Sequence, residues 1–214
     1  MGIAPPSAWT KLLGVVSANS VSTASDGSIY IAGFTNNNHD GQTNSGIQDA
    51  FITKFNSDGS KVWTKLLGGK SFDYANSVST ASDGSIYIAG TTQTSLDGQS
   101  NSGSQDAFIT KFNSDGSKVW TKLLGGTSWD YANSVSTASD GSIYIAGHTL
   151  SRNIDGQTNS GSQDAFITKF NSDGSKVWTK LLGVVNSAST YSVSTASDGS
   201  VYIAGYTNKG TSKN

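Results

Sequence analysis

The sequence predicts an all-β fold: a β-propeller of four near-identical four-stranded repeat units, the last incomplete in the chain. Three observations predict it. The string Trp-Thr-Lys-Leu-Leu-Gly starts at Trp9, Trp63, Trp120 and Trp178, at spacings of 54, 57 and 58 residues. Strong helix formers are scarce, because all 15 acidic residues are Asp and there is one Met and one Arg. Between the repeated strings lie short β-prone runs punctuated by Asp-Gly turns, four to a unit, the pattern of propeller blades. The chain then reads as one domain, 1–214, with units at about 9–60, 61–117, 118–175 and 176–207.

Each element of a unit has its own reason. In Ala50–Phe55, Phe51, Thr53 and Phe55 alternate with Ala50, Ile52 and Lys54, the period of a strand. Asn56–Ser60 is a turn in which Gly59 can take the positive φ that a tight hairpin needs. Lys61–Leu67 returns, rich in β-branched and aromatic side chains. Ser77–Ser82 follows as a strand of small residues, and a second Ser-Asp-Gly-Ser turn leads into Ile86–Gly90. Asp26, Asp58 and their copies are hairpin residues. Lys54, Lys65 and their copies are expected to blunt strand faces that meet solvent.

Small residues suit the crowded axis, so the expected order from the axis outward is Ser77–Ser82, Ile86–Gly90, Ala50–Phe55 and Lys61–Leu67. The other phase puts Trp-Thr-Lys-Leu-Leu innermost. On the first phase the chain holds only three copies of the third strand. Trp9–Leu13 should then close the last blade, lying parallel to Val201–Ala204, against the antiparallel ladder. A ring completed by a second copy is the other way to use that orphan segment.

The pieces Asp-Ala-Phe-Ile-Thr-Lys-Phe-Asn-Ser-Asp-Gly, Trp-Thr-Lys-Leu-Leu-Gly-Gly, Asp-Tyr-Ala-Asn-Ser-Val-Ser-Thr-Ala-Ser-Asp-Gly-Ser-Ile-Tyr-Ile-Ala-Gly and the Asp-Gly-Gln linker recur in fixed order over residues 9–207. This order resembles the bacterial SBBP-type β-propeller repeat family. The resemblance implies a propeller in an extracellular or cell-surface setting. It implies no particular chemistry.

Composition excludes several functions. A net charge of −1 with no basic run removes the electrostatic case for nucleic acid. No apolar stretch is long enough to insert in a membrane as a helix, and residues 1–14 do not read as a signal peptide. Without Cys there are no disulfides, thiolate metal sites or Cys nucleophile.

Antiparallel order puts both Ser-Asp-Gly-Ser turns of a unit on one face. The other face carries the connections Thr91–Gln105 and Gly68–Asn76, where the units differ most: Phe34, Thr91, His148 and Tyr206 stand at equivalent positions. A ligand, glycan or protein, is expected there. Phe72, Asp73 and Tyr74, with the equivalent Trp129, Asp130 and Tyr131, offer stacking area beside a carboxylate, and His148 lies on the same face. The same aromatics could instead wedge blades together while the Asp caps a turn. The end units carry Gly14-Val15-Val16 and Gly183-Val184-Val185 in place of this trio, a possible subunit contact or seam.

The loop Asp97–Asp106 is rich in oxygen ligands, so Asp97, Asn101 and Asp106 form a candidate calcium site. Asp and Asn beside Gly are equally ordinary turn residues. No nucleophile, base and acid can be assembled from equivalent positions, because His39 and His148 fall at different places in their units. No helix follows Leu-Leu-Gly-Gly to cradle a phosphate. The expected function is a non-enzymatic binding or structural module. Its alternatives are a purely architectural self-assembling repeat and a lectin-like propeller.

Overall fold

A computed structural model describes residues 9–183 and 186–208. Among them are three complete four-stranded antiparallel sheets and two two-stranded sheets, with no helix. Blade 1 is β1 (Val16–Thr23), β2 (Ile29–Thr35), β3 (Asp49–Phe55) and β4 (Lys61–Leu67), side by side in that order. Blade 2 repeats it with β5 (Asp73–Thr80), β6 (Ile86–Thr92), β7 (Asp106–Phe112) and β8 (Lys118–Leu124). Blade 3 uses β9 (Asp130–Thr137), β10 (Ile143–Thr149), β13 (Asp164–Phe170) and β14 (Lys176–Leu182). A minute hairpin, β11 (Asn153–Ile154) and β12 (Gln157–Thr158), stands in its long loop. The fourth unit is β15 (Ser187–Thr195) paired with β16 (Val201–Asn208).

The first strands of successive blades, β1, β5, β9 and β15, adjoin one another in turn, so the small-residue strand is innermost. Lys61–Leu67 and its copies lie outermost, the first of the two expected phases. Hydroxyls make that close approach cohesive. Ser22 and Thr80 meet at 3.1 Å, Ser79 and Thr137 at 3.1 Å, and Ser136 and Thr195 at 3.0 Å.

Apolar layers fill the space between blades. Tyr30 and Ile52 of blade 1 pack on Val78, Ile86, Ile88, Phe108 and Phe112 of blade 2. Tyr87 and Ile109 meet the corresponding residues of blade 3. Each such side chain contributes about 1.5–3 kcal/mol on burial. The third layer, Tyr144 and Ile167 against Val193, is smaller because the fourth unit has two strands.

The Ser-Asp-Gly-Ser turns form as expected. Gly27 N–H donates to Ala24 O at 3.0 Å, Gly27 has φ 81°, and the Asp26 carboxylate accepts Ser28 N–H at 2.8 Å. These bonds hold the Asp26 carboxyl below the usual carboxylate range. Both turns of a unit sit on one face.

Two expectations are corrected. Lys54 does not simply face solvent: its ammonium donates to Ser114 O of the next blade at 3.1 Å and lies 5.6 Å from the Tyr30 ring centre. Trp9–Leu13 forms no strand beside Val201–Ala204. Instead Trp9 Nε1 donates to Ser57 O at 3.1 Å and its ring packs on Phe55, 6.2 Å between centres. Trp63 and Trp120 do the same to Ser114 O and Ser172 O of the blade that follows each of them. Trp9 thus stands where the outer strand of a preceding blade would stand. Parallel pairing with β16 would give up that contact for a poorer ladder.

Candidate functional site

The face opposite the Ser-Asp-Gly-Ser turns is built from the first residues of the inner strands and the last residues of their neighbours. Tyr74 pairs with Thr91 across β5 and β6, and Tyr131 with His148 across β9 and β10. Aromatic side chains collect there. Phe34 meets the edge of Tyr74 at 4.9 Å, and Phe72 stacks on Tyr74 at 6.2 Å. In the next blade the Tyr131 ring stacks on His148 at 4.6 Å and contacts Trp129 at 6.3 Å. Of these, Trp129 is the most open, with 48% of its surface exposed.

His148 is held between neighbours. Its Nδ1 lies 3.2 Å from Ser189 Oγ and 3.4 Å from Asn133 Nδ2. Burial pulls its pKa down to about 4, so the ring is neutral near pH 7. Tyr74 and Tyr131 are both pushed up, first by burial and then by the adjacent Asp73 and Asp130. The aromatic face is therefore uncharged around neutrality.

The two carboxylates expected beside the aromatics are not part of that face. Asp73 and Asp130 are fully buried. Asp73 Oδ2 accepts Gly69 N–H at 2.7 Å, while Asp130 accepts Gly126 N–H, Ser151 Oγ–H and the Thr149 hydroxyl. The alternation of β5 and β9 that turns Tyr74 and Tyr131 one way turns the preceding Asp the other. Both carboxyls are pushed up by burial, Asp73 to about 6. Beside them lies a second set, also buried and pushed up, at the starts of β3 and β7: Asp49, which the sequence reading did not single out, and Asp106, which it placed in the calcium candidate. Asp49 further raises Asp73, and Asp130 further raises Asp106. Each Asp stands 24 residues before its partner, and that constant interval was the available signal. Val16 and Ala188 replace the second Asp in the end units. Of the end-unit residues, Val184 and Val185 lie outside the described residues.

The oxygen-rich loop does not assemble as a cation site. Asp97 and Gly98 both have positive φ, 54° and 73°, and close a two-residue hairpin between Leu96 and Gln99. The Asp97 carboxylate is taken by Lys118 and, at 2.5 Å, by the Thr121 hydroxyl. Asn101 braces the loop, donating to Thr92 O at 3.0 Å and accepting Gly103 N–H at 2.8 Å. Asp106 is buried at the blade boundary and accepts Ser102 N–H at 2.9 Å. Among the described residues no three His, Asp, Glu or Cys side chains gather as metal ligands. The turn reading of Asp97 and Asn101 is the one that the geometry follows.

His39 occupies the position at which Leu96 and Ile154 are buried in the other units. It packs on Phe51, 6.0 Å between ring centres, beside Asp40. Phe34 and Tyr206 belong to the aromatic row although sequence reasoning noted them only as variable positions. Tyr206 lies 5.7 Å from Tyr191 and 3.1 Å, hydroxyl to hydroxyl, from Ser187.

Comparison with known proteins bears on the fold. A family described as a domain of unknown function (DUF5122), β-propeller, matches residues 24–61, 81–118 and 138–176, just over half of the chain. The regulatory protein FlaEY of Caulobacter vibrioides is 28% identical over 169 residues, covering 71% of this chain. The chain spans only 18% of that relative's length. A crystal structure of a protein of unknown function from Bacteroides caccae superposes with a TM-score of 0.46 at 12% identity, covering 92% of this chain and 56% of that one.

Proposed function

The chain belongs to the DUF5122 β-propeller domain family, and from that premise we propose that it is a non-enzymatic binding module whose ligand lies on the aromatic loop face. The observation that carries the reading is Trp129, half exposed beside the stacked, uncharged pair Tyr131 and His148. A flat apolar ring flanked by neutral hydrogen-bonding groups suits a neutral ligand with one apolar face, and a carbohydrate is the class that best matches it. The absence of a catalytic role is supported by how the histidines are used: His39 fills an apolar anchor position, and His148 is locked in a stack with its Nδ1 engaged. The SBBP-like order of the repeats supports an extracellular or cell-surface setting.

Glycan-array screening of the wild-type chain tests the reading, followed by titration calorimetry on any hit. Binding that disappears in Trp129→Ala, with an unchanged melting temperature, is the expected result. An array on which the wild type binds nothing counts against the carbohydrate reading and favours a purely architectural module.

A further inference from the structure

The two ends of the blade series carry opposite halves of one contact, and we propose that they join head to tail between two copies of this chain. Three internal boundaries define the contact. Val78, Val135 and Val193 N–H each donate at 3.1 Å to the Oγ of Ser20, Ser77 and Ser134 in the preceding blade. Two positions on, Thr80, Thr137 and Thr195 each donate to the carbonyl of the preceding Thr at 2.9 Å. The Val side chains are buried beneath the Tyr of the blade before.

At the first blade the donating half of this contact is open. Val21 is 63% exposed, whereas its equivalent Val78 is 6% exposed. At the last unit the accepting half is open in the same way: Tyr202 is 62% exposed, whereas its equivalent Tyr30 is 1% exposed. Ser192 and Ser194, the equivalents of Ser20 and Ser22, are exposed beside it. These exposures mean that the chain does not close on itself. Val21 and Thr23 of one copy can take Ser192, Ser194 and Tyr202 of another in the register repeated three times within the chain.

Trp9 argues for the same partner. It occupies the outer-strand position of a blade preceding the first, while β15 and β16 are the two inner strands of a blade with no outer strand among the described residues. At the joint, one copy supplies the inner strands and the other the outer segment. Two copies contribute eight inner strands, the upper end of the roughly 4–8 blades of closed propellers. The contact is heterologous, and closure into a ring is what ends it at two copies. No described residue supplies a third strand at the joint, and Tyr191 stands there in place of Asn76, so the joint is looser than an internal boundary.

Sedimentation velocity over a wide concentration range tests this with the wild type and two variants, Val21→Asp and Tyr202→Asp. The wild type is expected at twice the 22.2 kDa chain mass, dissociating on dilution. Each variant alone, folded by circular dichroism, is expected to lose the closed ring and sediment as a monomer under the same conditions. Mixed, the two still present one intact end of each kind, so the mixture is expected to recover part of the association as a one-to-one pair. A wild type that stays monomeric throughout overturns the proposal, as does a variant that dimerises by itself as well as the wild type. A folded pair of variants with no association on mixing, beside a dimeric wild type, overturns the head-to-tail arrangement.

Discussion

Asn76 Nδ2 reaches across a blade boundary and donates to the Ala132 carbonyl at 2.9 Å. The bond exists because Asn76 is the extra residue of a β-bulge: pairing runs from Ala75 with Gly90 directly to Ser77 with Ala89. Asn19 and Asn133 repeat the arrangement toward Ala75 and Thr190. The bulge turns an inner-strand side chain out of its own sheet and into the next blade.

Replacing Asn76 by Ala leaves the Ala132 carbonyl without that donor at a crowded boundary. A loss of about 1–2 kcal/mol is expected by urea unfolding. Asn76→Asp, which removes the donor and adds a charge, is expected to cost more. Equal stability of Asn76→Ala and wild type would show that the bond contributes nothing net.

Asp73 has a pH signature of its own. Burial, with Asp49 opposite, holds its folded pKa at about 6, above the ordinary 3.8. A raised carboxyl favours the folded state below pH 3.8, and this contribution is lost as pH rises through about 6. Asp73→Asn is therefore expected to stabilise the protein relative to wild type at pH 7, by up to about 3 kcal/mol, with the gain vanishing toward pH 4. Melting temperatures of both proteins across this range check it. A gain independent of pH would assign the effect to something other than ionisation.

Gly116 combines a φ of 84° with the Trp63 ring, which would lie 2.9 Å from an added Cβ. Gly116→Ala is expected to cost about 1–3 kcal/mol through backbone strain and displacement of the indole. In a Trp63→Leu background the same change should cost less, and a double-mutant cycle measures the difference.

Calcium is expected to leave the melting temperature where chelator leaves it. Asp97 already holds Lys118 and Thr121, and Asp106 is buried away from it. A calcium-dependent rise that Asp97→Asn removes would show that the cation displaces Lys118.

The sequence by itself determined the repeat, the strands and the turns, and left two phases for the order of strands from the axis outward. Alternation in Ala50–Phe55, Asp-Gly turns and a run of small residues are local signals, and four near-copies state each of them again. Only the tertiary structure decided between those phases, and what the polar residues outside the Ser-Asp-Gly-Ser turns do. Asp73 and Tyr74 are neighbours in the chain, yet strand alternation buries one at a blade boundary and leaves the other on the loop face. Asp97 looks like a ligand in its own loop because its partner, Lys118, is 21 residues away on the outer strand. Trp9 rests on blade 1 rather than beside β16, since stacking between blades, unlike pairing within one, is set by surfaces that the periodicity of a single unit does not encode.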